Sequence, residues 1–307
     1  MRIGLGFELD SGDDAHEAWH AVLGEIQRAD ALGYDSVWLE EGREAGASCP
    51  APTLFLTHAA CKTKSIQLRP AARRVDRTHP VRLAEEIAVL DMFSRGRAGV
   101  AFASAHRQGV PPQQLHETID FVRAAWAGDA LRFRGEFVRF PSHTPDEAPV
   151  GVSHPAAEGE LVPQWDWGGV MPDFLAVTPK PYASRPPTYV EIADDATLEW
   201  AARHGISPLV TAKVPTAEAV ERFSRYWRIA AEAGRSSAEV EAVLARRIAL
   251  DGEGNEYALG GSATDLATSI SALRAASAIS HLVWVRDAGD EGQLLQFASE
   301  VQPVLQA

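Results

Sequence analysis

Eight short runs of β-forming residues alternate with longer stretches of helical periodicity along this 307-residue chain. That order constrains the fold more than any other feature, because strand, helix and strand in succession are the unit of a parallel sheet. The runs fall at residues 2–7, 35–39, from 66, 98–103, 188–192, 209–212, 244–250 and 281–285. Trp19, Val22, Leu23, Ile26 and Ala29 mark a first amphipathic helix ending at Gly33. Further helices are expected at 52–63, from Pro80 to about Ser94, then 112–127, 197–204, 216–233 and 264–276, with a last one closing the chain. A second short helical stretch is expected from Ser236. Eight such units predict an α/β fold, a (β/α)8 TIM barrel, whose active site lies where the strands end.

The regularity stops once. After a small hairpin at 131–140, turning at Gly135, residues 141–185 are rich in Pro, Gly and polar side chains. A connection this long inside a barrel is usually a functional lid or disordered. Trp165, Trp167, Phe174 and Tyr182 supply apolar surface that a linker would not carry, so the segment is read as a lid-like insertion. One domain covering 1–307 accommodates it, since barrels reach this length alone.

A net charge of −13 argues against nucleic acid or an anionic membrane as the partner, because both require a basic face. No stretch approaches the roughly 20 apolar residues of a membrane span. A small molecule is therefore the expected ligand. Cys49 and Cys61 stand in no metal-ligand pattern and read as reduced thiols, and Glu8 interrupts the first apolar run before it could act as a signal segment. The cytoplasm is the expected location.

Several motifs carry a more specific message. Arg28-Ala29-Asp30-Ala31-Leu32-Gly33-Tyr34-Asp35 leads from the first helix into the second strand, and His79-Pro80-Val81-Arg82-Leu83-Ala84-Glu85-Glu86 opens the third helix, with Asp91, Ser94, Gly96 and Arg97 after it. Phe133-Arg134-Gly135-Glu136-Phe137, Pro179-Lys180-Pro181, Glu199-Trp200-Ala201-Ala202-Arg203-His204-Gly205 and Gly261-Ser262-Ala263-Thr264-Asp265-Leu266 follow. Together they resemble the bacterial luciferase-like flavin monooxygenases and the coenzyme F420-dependent reductases of the same superfamily. The resemblance implies reduced FMN or F420 bound at the strand ends, and an enzyme that oxidises a small organic substrate with O2 using FMNH2 from a separate flavin reductase. It also implies a homodimer. The alternative is a barrel of this ancestry with lost or altered flavin binding, acting as a ligand-binding protein or a flavin-independent enzyme. An F420-dependent oxidoreductase is the third reading.

Position by position, the site departs from the family's pattern. Relatives carry a histidine after the second strand where this chain has Glu41, a carboxylate able to act as a general base if buried, or else a solvated loop residue. Glu8 and His106 complete the catalytic candidates. The relatives' phosphate-binding arginine after the fourth strand corresponds to Ser104, with Arg107 three residues on. After the fifth strand Asp194 takes a hydroxyl position and Thr197 fits the pattern, or Asp194 or Asp195 simply caps the next helix. Ala71 and Ala72 match the small residues beneath the flavin ring, and Arg73 follows them. Strand alternation predicts that Arg73 and Arg74 face opposite sides, one entering the pocket or forming an ion pair with Glu41 or Glu8. His16 and His20 have metal-pair spacing without a third ligand, and no GxSxG surrounds Ser104, so neither a metal nor a covalent nucleophile is expected.

Overall fold

A computed structural model describes residues 1–9, 15–42, 49–75, 78–103, 110–128, 131–140 and 176–306. In chain order the elements are β1 Arg2–Phe7, α1 Ala15–Leu32, β2 Ser36–Glu40, α2 Pro52–Ala60, β3 Gln67–Ala71, β4 Arg73–Arg74, α3 Pro80–Ser94, β5 Val100–Ala103 and α4 Pro112–Ala127. Then come β6 Phe133–Arg134, β7 Arg139–Phe140, β8 Thr188–Glu191, α5 Asp195–His204, β9 Ser207–Val210, α6 Thr216–Glu232, β10 Val243–Leu250 and β11 Ala258–Gly261. The chain continues with α7 Ala263–Ser277, β12 His281–Val285, α8 Glu291–Gln296, a π-helical turn and α9 Gln302–Gln306.

The strands pair in parallel in the order β3, β2, β1, β12, β10, β9, β8, β5, β4. Because β4 resumes the path of β3, the two act as one barrel strand: β3 pairs with β2 and β4 with β5. The seam between β3 and β5 is bridged where the Leu68 amide donates to Arg97 O (2.9 Å) and the Gly99 amide to Leu68 O (3.1 Å). The result is a nearly closed parallel α/β barrel. Ala72, at φ 50°, breaks the extended backbone between β3 and β4 and resets the alternation that the sequence predicted to run through Arg74. Three other expectations change. Residues from Ser236 form turns instead of a helix, β11 is added beside β10, and the final helix is broken by the π-helical turn.

The helix 3 motif turns out to be structural. Asp91 is fully buried and accepts from the amides of Ala98 (3.2 Å) and Ala183 (2.7 Å), while Arg95 and Gly96 take left-handed φ to end α3. Arg97 spreads its guanidinium over Ser94 O, Ile66 O, Ala60 O and the Thr63 hydroxyl, all within 2.9 Å. Those bonds pin the α2 and α3 ends to the strand bottoms. In the hairpin, Gly135 leaves room for the Glu117 carboxylate, which accepts from the next three amides; a Cβ at 135 would lie 1.7 Å from it.

Residues 141–175 of the expected lid lie outside the described residues. The described end, 176–185, is held at the barrel's lower face, where Lys180 donates to Ala125 O near the end of α4 (2.7 Å) and Ala183 binds Asp91. That end of the segment is therefore on the side opposite the strand C-termini.

Most of the core lies between strands and helices; inside the barrel Trp38, Ala71, Ala101, Tyr189, Leu209, Val243, Ala245 and Val283 form a second cluster. Beneath it is a polar plug. Trp38 donates to Ser36 Oγ (2.7 Å), Ser36 meets His281 Nε2 (2.8 Å), and His281 Nδ1 meets Glu241 (3.2 Å). Tyr189 and Arg2 also donate to Glu241, whose carboxyl, despite burial, is held down at about 2 by these donors, chiefly His281.

Candidate functional site

Small and apolar residues converge where the strands end. Gly6 and Phe7 of β1, Trp38 of β2, Ala71 and Ala72, Leu209 of β9 with Ala212 beyond it, Ala245 of β10 and Val283 and Val285 of β12 line a cleft at the mouth. Gly6 is needed at this depth, since a Cβ there would meet Val283 at 3.0 Å and Val285 at 3.3 Å. The rim is charged. Glu8 and Glu40 line the cleft, and Lys213, just beyond β9, lies 3.7 Å from Glu8 and 3.4 Å from Glu40. Glu191 at the end of β8 accepts from the Thr211 hydroxyl (3.3 Å) beside them. Burial, with the neighbouring charge of Glu8 and only partly offset by Lys213, pushes the Glu40 carboxyl up to about 7.

The sequence candidates separate into groups. Ala71, Ala72 and Glu8 line the mouth. Glu41 does not: it is 1% exposed and sits behind the strand, where Arg73 approaches at 3.4 Å and the Arg74 amide donates to it at 3.4 Å. Arg73 also reaches Glu86 on α3 (3.2 Å), so its guanidinium is held on the helix side. The cause is local. Trp38 points into the barrel, so alternation turns Glu40 inward and Glu41 outward, and the kink at Ala72 places both arginines in buried positions. The period of the strand groups Glu40 with Ser36 and Trp38 and sets Glu41 on the opposite face, the one signal in the sequence that separates the two.

Ser104, His106 and Arg107 lie outside the described residues. Asp194 caps α5, accepting from the Thr197 amide (2.8 Å) and hydroxyl (3.0 Å). Thr197 is fully buried, and its hydroxyl also meets His116 Nε2 (3.3 Å), a ring whose burial pushes it down to about 4. A carboxylate thus takes the Thr197 donors and places a negative charge where a helix N-terminus would receive an anion. Asp195, Glu218, Glu221, Arg222 and Arg225 line the adjoining cleft, with Arg225 paired to Asp195 and Arg222 to Glu218 (2.6 Å). Among the described residues no cluster of His, Cys, Asp and Glu could hold a metal ion, and no helix is long and apolar enough to cross a membrane.

The sequence profile described as luciferase-like monooxygenase matches residues 2–259. The oxygenase component of the flavin-dependent trigonelline monooxygenase of Acinetobacter baylyi is 26% identical over 262 residues, 80% of this chain and 64% of that protein. Limonene 1,2-monooxygenase of Rhodococcus erythropolis is 26% identical over 219 residues, 71% of this chain and 50% of that protein. The chain therefore spans between half and two thirds of the length of these relatives. Among solved structures, a monooxygenase from Streptomyces bottropensis superposes with a TM-score of 0.79 at 21% identity, covering 99% of both chains. The oxygenating constituent of 3,6-diketocamphane monooxygenase from Pseudomonas putida, in complex with FMN, gives 0.73 at 17%, covering 99% of this chain and 98% of that one. An F420-dependent secondary alcohol dehydrogenase gives 0.71 at 15%, covering 100% and 99%.

Proposed function

We propose, from the premise that this chain belongs to the luciferase-like monooxygenase family, that it is the FMN-dependent oxygenase of a two-component system acting on a small organic substrate. The observation that carries this reading is the set of small and apolar residues, Gly6, Ala71, Ala72, Ala245 and Val283, that line the mouth at the strand ends, where a flavin ring would lie. When bound, reduced flavin supplies the electrons that activate O2. This chain's residues would seat the ring, keep water from it, and present Glu8 and Glu40 beside it. A separate reductase is part of the proposal, supported by a relative that is itself an oxygenase component. The free thiols of Cys49 and Cys61 agree with a place in the cytoplasm.

The phosphate end fits less well. Among the described residues around α5, the Thr197 amide and hydroxyl are taken by Asp194 and both arginines by carboxylates. That observation favours the second reading, a relative with altered flavin binding; F420 would meet the same difficulty, since it too needs an anion site. Anaerobic titration of the purified protein with FMN, reduced FMN and F420 decides. Reduced FMN is expected to bind, in the micromolar range or weaker, and the protein to purify without flavin. Absence of binding by all three would replace the monooxygenase reading with the second one.

We further propose a homodimer formed through α2 and α3, which pack together and expose Leu54 (74%) at the start of α2 and Met92 (48%) and Phe93 (58%) at the end of α3. Phe93→Glu is expected to convert a dimer to monomer in light scattering at micromolar concentration. An unchanged mass would place the interface elsewhere.

A further inference from the structure

We propose that Glu8 and Glu40 form one proton-holding pair at the barrel mouth, with Lys213 as its counter-charge, and that this pair is the acid–base group of the reaction. The inference rests on the reading of the mouth as the active site.

The geometry comes from three separate strand ends. Glu8 follows β1, Glu40 ends β2, and Lys213 reaches both from beyond β9, across 173 residues of sequence in the case of Glu40. Both carboxyls lie against the same ammonium, Glu8 at 3.7 Å and Glu40 at 3.4 Å from Lys213 Nζ, and both line the apolar cleft. Two carboxylates gathered on one ammonium keep one negative charge uncompensated, and a proton on one of them relieves it. Among the described residues the charged and titratable neighbours are Lys213 and, at the end of β8, Glu191; the rest of the lining is apolar or small apart from the Thr211 hydroxyl. Among the described residues three carboxylates therefore face one ammonium. Lys213 neutralises one charge, and Glu191 is engaged by Thr211, which leaves the second charge of the pair to be relieved by a proton. Burial of Glu40 and the adjacent Glu8 charge act in the same direction, towards neutrality.

A pair in that state can move a proton. The carboxyl O–H of the pair breaks and the proton passes to an oxygen or nitrogen of the bound substrate on the apolar floor. The negative charge left behind is shared between two carboxylates under Lys213. Glu8 and Lys213 reach solvent, so the proton returns from water without crossing the barrel. The linkage has a definite sign. A carboxyl whose folded value lies above its unfolded one contributes stability that is fully present below the unfolded value and lost as pH rises through about 7.

The experiment is a pH titration by NMR of the full chain labelled with 13C at the glutamate carboxyls, without flavin. Wild type should show one carboxyl transition near neutrality, absent in Glu40→Gln. Glu8→Gln should move it down, and Lys213→Met up, by about one unit or more each. A second measurement follows reoxidation of bound reduced FMN by O2 in stopped flow. Its pH limb near neutrality should vanish in Glu40→Gln and return in Glu40→Asp. If every glutamate titrates in the ordinary acidic range, or the neutral transition ignores Glu8→Gln, there is no pair. If the stopped-flow limb survives in Glu40→Gln, the pair is not the acid–base group. A neutral-range carboxyl in a protein that binds no flavin would overturn the monooxygenase reading and the acid–base role while leaving the pair itself standing.

Discussion

Changing Asp194 to serine together with Ser104 to arginine is expected to tighten binding of reduced FMN by roughly one to four powers of ten. A cofactor phosphate carries nearly two negative charges and is normally held by a cation and several donors. Here the Asp194 carboxylate already accepts the Thr197 amide and hydroxyl at 2.8 and 3.0 Å, so an incoming phosphate meets a like charge and occupied donors. Removing that charge and restoring a cation should each be worth about 1–3 kcal/mol, the usual range for hydrogen bonds to charged groups. Serine is the right replacement because it is as good an N-cap as aspartate, so α5 keeps its start. Asp194→Ala would instead confound affinity with fraying. Ser104 lies outside the described residues, and its place rests on the family resemblance. The single Asp194→Ser change should give part of the gain by itself. Submicromolar binding by wild type, with no gain in the double variant, would mean that another cation, such as Arg107, holds the phosphate.

The largest loss of stability is expected from Glu25→Ala, about 3–5 kcal/mol in reversible denaturant unfolding, with the slope unchanged. Glu25 on α1 and Arg286 just after β12 are both almost fully buried and meet at 2.8 Å. Arg286 also covers the Trp284 ring at 4.5 Å and donates to Asp290 O, while Glu25 accepts from the Gly289 amide at 3.1 Å. The pair ties the first helix to the loop after the last strand, beside the seam where β12 and β1 close the barrel. Removing the carboxylate leaves a buried guanidinium without its paired carboxylate, and stability of only about 5–15 kcal/mol makes that severe. Burial raises the Glu25 carboxyl above its ordinary range in spite of Arg286, so the attraction does not fully offset desolvation. The double variant Glu25→Leu, Arg286→Leu should therefore recover most of the loss. Equal losses in single and double variants would show that packing, not charge, holds this corner.

Much of the fold was legible in the sequence because it depends on local signals. Strand and helix order, the start of α3 and α4 at prolines, and the turns at Gly33 and Gly96 follow from periodicity and from residues suited to helix ends. β11 was missed because Ala258–Gly261 lacks the branched and aromatic residues that signal a strand.

The sequence by itself determined that βα units repeat around a barrel and that the mouth would carry Glu8, Ala71 and Ala72. The period-2 series Ser36, Trp38, Glu40 puts Glu40 and Glu41 on opposite faces, but only the tertiary structure decided that Trp38's face is the inside, that Arg73 is spent on Glu41 and Glu86, and that Lys213 arrives between Glu8 and Glu40. The physical reason is that strands of a parallel barrel are buried on both faces. Alternation then tells which residues are opposite, but hydrophobicity no longer tells which side is the inside. A single left-handed residue, Ala72, was enough to reset even that alternation, and the meeting of Lys213 with two glutamates is set by barrel closure, which no local pattern encodes.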